Sequence, residues 1–147
     1  MLRIRNFNQN EKGSTLVEYS IGVTVFLMAV FAVLEFGRVV WAHNALSDAV
    51  RQGARYAALH QSVGEDSNIK NLVVYGKTGG GTKPIVPGLT TNMIQISRSA
   101  DFSVNSGTAT VKITGYKFQF VLPFLPKSIN MPQYSATLTG ESAGLIP

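Results

Sequence analysis

The feature that most constrains this chain is an apolar run from Tyr19 to Leu34 that contains no formally charged residue. With its apolar flanks, the segment 14–37 reaches the roughly 20 residues that an α-helix needs to cross a bilayer. A cleaved secretory signal usually has a shorter apolar core and ends at a small-x-small site. The run instead continues without a break into Arg38 and beyond, so we expect a retained membrane-spanning helix.

Charged residues mark both ends of this run. Glu18 lies directly before it, five residues after a basic leader that ends at Gly13. A charge in an apolar layer is costly, so Glu18 is by default a functional residue that needs a partner. The alternative places Glu18 at the headgroup level, in the first turn of a signal anchor, where the helix N-terminus favours a carboxylate. At the far end, Glu35 and Arg38 are three residues apart, a spacing that predicts an intrahelical ion pair at the membrane boundary.

Composition argues against several classes of function. The net charge of +5 is mild, and the basic residues form no cluster with interleaved aromatics, so no nucleic-acid partner is expected. Cysteine is absent, which excludes disulfides and thiolate metal sites. His43 and His60 lie about 260° apart around one helix, so they share no metal ion there. With no paired carboxylates or nucleophile motif, we expect neither a cofactor nor enzymatic activity.

The segment from Ser14 to about His60 has no proline and few glycines, which predicts one long helix. Beyond Gly37, apolar residues recur at intervals of three or four, which indicates an amphipathic helix that packs one stripe on a domain. The predicted stripe is Val39, His43, Leu46, Val50, Ala54 and Ala57. The opposite, polar side carries Asn44, Asp48, Arg51 and Arg55.

Residues 61–92 are predicted to form a short helix and a glycine-rich loop. Asp66 and Ser67 precede apolar residues at helical spacing, and Gly76 would end the helix. The following Gly-Lys-Thr resembles part of a phosphate-binding loop, but that motif needs a glycine where this chain has Asn71. The segment is therefore expected to be a flexible loop.

Residues 93–147 show the alternation of antiparallel strands. A hairpin over Ser106 and Gly107 would pair Phe102 with Val111, which keeps apolar residues on one face. Apolar residues occupy odd-numbered positions directly before Gly115 and even-numbered positions after it. This change predicts a bulge or a bend between sheets near Gly115. The aromatic stripe that follows is expected to be core, and any exposed part of it would mark a partner contact. The stripe is Tyr116, Phe118, Phe120, Leu122 and Phe124.

The predicted fold class is thus α+β: a long N-terminal helix packed on a small antiparallel sheet of about four strands. The expected organisation is a basic leader (1–13), a transmembrane half-helix (14–37), an amphipathic half-helix (38–60), the segment 61–92 and the β region 93–147.

The basic leader, Gly13, four residues, Glu18, Tyr19 and an apolar run together resemble the class III signal of type IV pilin-like proteins. The resemblance implies that a membrane-embedded prepilin peptidase cuts between Gly13 and Ser14. In that family, the residue equivalent to Glu18 meets the amino terminus of a neighbouring subunit and sets its register. Glu18 followed by Tyr19 is most similar to the Flp (tight adherence) branch. Whether Ser14 is methylated after cleavage stays open.

The resemblance to the TadE family of minor pilin-like proteins extends to Glu35-Phe36-Gly37-Arg38, Asn44-Ala45-Leu46 and the stretch from Arg51 to Ala57. It implies a minor pilin for assembly or for the tip of a Flp/Tad pilus. The implied partners are the peptidase, an inner-membrane pilus platform and other pilin subunits, contacted through the N-terminal helix.

The implied location is the bacterial inner membrane, with a single pass and the C-terminal domain outside the cytoplasm, and the pilus itself after incorporation. Two alternatives to a minor pilin stay open. The first is a pseudopilin of a type II secretion or DNA-uptake machine, and the second is an anchored periplasmic binding domain that never enters a filament.

Overall fold

A computed structural model describes residues 10–60, 63–99, 107–122 and 126–140 of the chain. The chain divides between Gly37 and Arg38 into two compact units. The first contains the apolar segment, and the second contains every strand and the remaining helices.

Helix α1 runs over Asn10–Leu59. Its length follows from the absence of proline before Pro84, since proline is the residue that most strongly interrupts a helix. The predicted single helix from Ser14 to about His60 is confirmed. The His60 N–H still donates to the Tyr56 carbonyl at 3.0 Å, so the last helical hydrogen bond falls where the sequence indicated.

In the second unit, α1 is amphipathic as predicted, but its buried stripe is shifted. Ala42 and Ala49 are buried and belong to the core, whereas His43 is exposed. His43 still contacts the β region, because its Nδ1 shares a hydrogen bond of 2.8 Å with the Tyr134 hydroxyl. The buried stripe consists of Ala42, Leu46, Ala49, Val50, Gly53, Ala54, Ala57 and Ala58. Its members are mostly small, which lets neighbouring elements approach the helix axis.

A three-stranded antiparallel sheet packs on this stripe. It contains β1 (Ile94–Arg98), β2 (Thr108–Ile113) and β5 (Tyr134–Thr139), in the order β1-β2-β5. Val111 of the central strand pairs with Ile96 on one side and Ala136 on the other. The pairing of Val111 with Phe102 is therefore wrong, because both edges of β2 are already occupied. Phe102 itself lies outside the described residues.

A second, two-stranded sheet contains β3 (Lys117–Gln119) and β4 (Ser128–Asn130). The predicted α+β class is confirmed, with five strands in two small sheets among the described residues where about four were expected. β4 is three residues long and all three are exposed, so it has no alternating pattern that a sequence would show. The bend predicted near Gly115 is present: this glycine has φ +72° and lies between β2 and β3, which belong to different sheets.

Helix α2 spans Asp66–Tyr75 and ends at Gly76, as predicted. Gly76 has φ +72°, a left-handed conformation that caps a helix most easily when the residue is glycine. Its N–H donates to the Leu72 carbonyl at 2.8 Å. A charge contact of 2.7 Å between Arg98 Nη2 and Asp66 Oδ1 also joins β1 to α2, although the two groups are not aligned as a hydrogen bond.

Gly53 marks the closest approach between α1, α2 and the sheet. A Cβ atom at this position would overlap Val73 Cγ2 of α2 and lie 3.5 Å from Val111 Cγ1 of β2. Both valines are fully buried, so neither has free space into which to move. By contrast, a Cβ atom at Gly37 of the same helix meets nothing within 4 Å.

We predict that Gly53→Val lowers the free energy of unfolding by about 2 kcal/mol or more, because overpacking a filled core typically costs about 1 to 3 kcal/mol. Gly37→Val is the matched control and should change it by less than about 0.5 kcal/mol. Thermal unfolding of the full chain in detergent, followed by the fluorescence of Trp41, measures both. Equal stability of the two variants would contradict the packing described at Gly53.

Two core tyrosines have raised pKa values. Burial raises the pKa of Tyr116 above its ordinary 10.0, and the nearby Arg38 charge partly lowers it. Burial, followed by interaction with Tyr116, raises the pKa of Tyr134. The Tyr116 hydroxyl donates to the Pro87 carbonyl at 2.9 Å. Both hydroxyls are therefore held in their neutral form by the fold.

We predict that the second unit loses stability as the pH rises above about 10. The pKa values of both hydroxyls are higher in the folded state than in the unfolded chain. The stability that they contribute is therefore complete below the unfolded pKa and is lost as the pH rises through the folded pKa. Urea unfolding at about pH 8 and about pH 11 measures the loss. Tyr116→Phe removes one titrating group, so the variant should lose less stability over this pH interval than the parent. An equal loss would contradict the claim that ionisation of Tyr116 destabilises the second unit.

Candidate functional site

The apolar segment of α1 exposes large hydrophobic side chains on all sides. Its most apolar 18-residue window has a mean hydropathy of 2.1, and only 6% of that window is buried. The exposed residues are Leu16, Val17, Tyr19, Ile21, Val25, Phe26, Leu27, Met28, Val30, Phe31, Val33, Leu34 and Phe36. Water-soluble monomers rarely expose so continuous an apolar surface. Among the described residues, α1 alone is long and apolar enough to cross a membrane, and it fits a single-pass anchor.

Two hydroxyl groups of this segment are satisfied by the helix itself. Ser20 Oγ donates to the Val17 carbonyl and Thr24 Oγ1 donates to the Ser20 carbonyl, both at 2.8 Å. A polar group in lipid must find its partner within the protein, because no water is available there. These two side chains are therefore compatible with the hydrocarbon layer.

Glu18 lies on the exposed surface of this segment, in the turn that follows Ser14. Residues four apart on a helix lie on one face, with Cβ atoms about 5 to 6 Å apart. Ser14, Glu18 and Tyr19 are all exposed, so no other described residue covers them. The registration role of Glu18 and Tyr19 stays a prediction.

Gly13 and Ser14 lie near the start of α1, which begins at Asn10. Within the part of the chain that the structure describes, no atom outside the local helix backbone lies within 4 Å of the place where a Cβ of Gly13 would be. The first turn of a helix lacks several backbone hydrogen bonds and opens readily. A peptidase that needs extended backbone would therefore unwind little structure here.

The residues of the predicted membrane-boundary pair are in different surroundings. Glu35 is 5% exposed, the one buried charged residue among those described, while its apolar neighbours Leu34 and Phe36 are exposed. Arg38 begins the second unit, and its guanidinium carbon lies 5.3 Å from the centroid of the Phe118 ring. The ion pair between Glu35 and Arg38 stays a prediction.

A groove of about 260 Å³ in the second unit was not found by reasoning from the sequence. Its lining comes from three segments: Arg38, Trp41 and Ala42 of α1, residues 86–88, and Tyr116 with residues 118–121. The expectation for the aromatic stripe is correct at Tyr116 and Phe118, which are buried in the core. Phe120 is partly buried, Leu122 is half-buried, and Phe124 lies outside the described residues. The available signal was Trp41, three residues after Arg38 and so on the same helix face.

The histidines pack beside tyrosines. The His60 ring stacks on Tyr56 with centroids 3.9 Å apart, and the Tyr56 hydroxyl donates to Glu65 Oε2 at 3.3 Å. Desolvation, then the charge of Glu65 and this hydrogen bond, raise the pKa of Tyr56. The contacts join the end of α1 to the start of α2. Within the described ranges, no three histidine, aspartate or glutamate side chains lie together as a metal site requires.

Comparison with known proteins yields one match. The sequence model of the family described as TadE-like protein matches residues 13–55, which covers the candidate cleavage site, Glu18 and the apolar segment. No curated protein and no solved structure matches the chain. The resemblance to TadE-like proteins is thus confirmed over residues 13–55.

Proposed function

We propose that this protein is a TadE-like minor pilin, a subunit for the assembly or the tip of a type IV-like Flp/Tad pilus used in adherence. The observation that carries the proposal is Glu18, an exposed carboxylate on a helix segment that is otherwise apolar on every side. The family match over residues 13–55 supports a protein associated with this pilus. The basic leader would lie in the cytoplasm and the residues after Arg38 outside it, as the charge distribution favours.

Cleavage between Gly13 and Ser14 would create the partner that Glu18 needs. It removes the basic leader and leaves a new ammonium group on Ser14, one helical turn before the carboxylate. Each charge alone costs about 2.5 to 3.5 kcal/mol at the centre of a bilayer, and pairing offsets much of that cost. An incoming subunit whose Glu18 meets the ammonium of its neighbour would be fixed in axial register.

The proposed role involves no catalytic chemistry and no cofactor. The prepilin peptidase would act on this chain as its substrate, and the platform and other pilins would contact its helix. A pseudopilin of a secretion or DNA-uptake machine would use the same mechanics with a different cargo. Assays of adherence, secretion and DNA uptake in a deletion strain separate these roles.

We predict that the chain loses residues 1–13 when it is co-expressed with the prepilin peptidase of its own organism. Gly13→Val should abolish the cut, because a branched side chain hinders close approach to the backbone, whereas glycine permits it. Gly22→Ala, which also lies on the exposed surface of α1, is the control and should be cleaved normally. Intact mass spectrometry of the membrane-extracted protein measures cleavage in the parent chain and in both variants, and it also reports methylation of Ser14. A leader retained beside active peptidase would instead indicate an anchored periplasmic domain.

We predict that Glu18→Gln abolishes pilus assembly and leaves membrane insertion and cleavage intact. The variant keeps the shape of the side chain and removes its charge, so the Ser14 ammonium loses its partner. Breaking a buried ion pair costs about 3 to 5 kcal/mol, which is about a hundredfold or more in each assembly contact.

Glu11→Gln is the matched control for this experiment. It neutralises a carboxylate on the other side of the cleavage site, in the part that is removed, so piliation should be normal. Sheared pili are quantified by immunoblot, and insertion is measured by carbonate extraction. Normal piliation of the Glu18→Gln strain would exclude the proposed registration.

A further inference from the structure

Strand β5 forms an edge of the three-stranded sheet, because only β2 lies beside it in the strand order β1-β2-β5. The Gly140 N–H donates to the Gly107 carbonyl at 3.2 Å, so these two residues form a hydrogen-bonded pair that continues the ladder between β2 and β5. Hydrogen-bonded pairs alternate with non-hydrogen-bonded pairs along an antiparallel ladder. The even-numbered residues of β5 therefore bond to β2, and the N–H and C=O groups of Ser135 and Thr137 point away from it.

These outward groups lie on an unprotected edge. Ser135 and Thr137 are exposed, and in the part of the chain that the structure describes no backbone group is bonded to theirs. Folded proteins usually protect a sheet edge with a charged residue, a proline, a bulge or a covering element. β5 has no charged residue and no proline, and it pairs with β2 without a bulge. At the opposite edge, β1 ends in Arg98, whose guanidinium contacts Asp66 of α2, so β5 is the less protected edge.

The two faces of β5 determine which side chains fit beside it. On the open face, Ser135 and Thr137 present hydroxyl groups, and Thr137 Oγ1 shares a hydrogen bond of 2.8 Å with Thr110 Oγ1 of β2. On the other face, Ala136 and Leu138 are half-buried and pack against the core. Neighbouring side chains on one face of a sheet interact in pairs, so hydroxyl residues fit beside the first face and apolar residues beside the second. None of these positions carries a charge that would select a charged neighbour.

A pocket of about 240 Å³ adjoins the start of the same edge. Its lining is mainly polar and includes Ser47 and Arg51 of α1 together with Gln133 and Ser135. Arg51 also lies 3.8 Å from Asp48, and both side chains are largely exposed. A strand that pairs with Ser135 has its next residue beside this pocket, so a polar residue fits at that end of it.

We propose that the outer edge of β5 accepts an extended segment of another polypeptide as a fourth strand of the sheet. The segment is uncharged along β5, alternates hydroxyl with apolar side chains, and has a polar residue at the pocket. In this mode of recognition, backbone hydrogen bonds give affinity and the alternate side chains give specificity. The inference depends on the second unit alone, and it goes beyond the proposed function because neither Glu18 nor the cut after Gly13 takes part in it.

Amide hydrogen exchange of the full chain in detergent micelles, read by NMR, tests the added strand residue by residue. The probe is a capped peptide that copies residues 134–139, which have the required alternation, with one lysine added at each end for solubility. In the free chain we expect fast exchange at Ser135 and Thr137, and slow exchange at Ala136 and Leu138, which bond to β2. Peptide at about 1 mM should slow Ser135 and Thr137 about tenfold. A control peptide with proline at two central positions should protect neither.

Thr137→Pro is the matching variant of the chain. Proline is tolerated on an edge strand when its missing N–H faces outward, so this change removes a donor from the edge and no bond to β2. It should weaken binding of the fluorescently labelled peptide about tenfold, measured by anisotropy. Thr137→Val keeps the N–H and should bind as the parent does. Ser135→Pro repeats the test at a second position, and thermal unfolding verifies that each variant is folded.

Four outcomes overturn the inference. Fast exchange at Ser135 and Thr137 that persists with the peptide means that no strand is added. Slow exchange there in the dilute free chain means that the chain covers its own edge. Protection that rises with protein concentration, without peptide, assigns the edge to a second copy. Unchanged affinity in a folded Thr137→Pro variant means that the peptide binds elsewhere. The proposed pilin role is tested separately, by the cleavage and piliation of the Gly13 and Glu18 variants.

Discussion

The structure depends on a single constraint: one continuous helix must be compatible with two solvents. Up to Leu34 its exposed surface is almost wholly apolar, and from Arg38 onward only one stripe is apolar and the rest carries charge. An apolar surface on all sides is stable in lipid or among other helices, whereas a single stripe is stable when a domain covers it. The boundary between the two units falls at this change, between Gly37 and Arg38.

Small side chains determine how the domain covers the stripe. Ala42 and Ala49 keep the buried face of α1 small, and at Gly53 the missing side chain lets Val73 of α2 and Val111 of β2 reach the helix together. Larger residues on the other elements then fill the core, which distributes volume between facing layers as close packing requires. This packing gives position 53 a low tolerance of substitution, because the core has no space there for even a methyl group. The helix therefore contains glycine at this position, although glycine is a poor helix former.

Local features of the fold could be predicted from the sequence, and features that depend on distant contacts could not. The end of α1 near His60 and the end of α2 at Gly76 follow from proline, glycine and spacing, which act within a few residues. The partner of Val111 depends on three strands that are far apart in the chain, and local alternation assigned it to Phe102. His43 fits the spacing of the stripe, yet it lies at its edge and is held by Tyr134 from β5. At the site, Glu18 was predicted from its charge beside the apolar run and the cut after Gly13 from the resemblance to pilin-like signals, whereas the groove beside Arg38 required side chains from three separate segments.

Two carboxylates of the apolar segment lie in different surroundings, which bears on the role proposed for Glu18. Glu35 is buried, so its desolvation must be balanced where it lies. Glu18 is exposed on a surface that would face lipid or other helices, where no water can solvate it. In the proposed function Glu18 would acquire a cation there, and the cut after Gly13 would supply one on Ser14. Because every subunit of the same kind would carry both groups, the unsatisfied charge of one copy is a reason to contact the next.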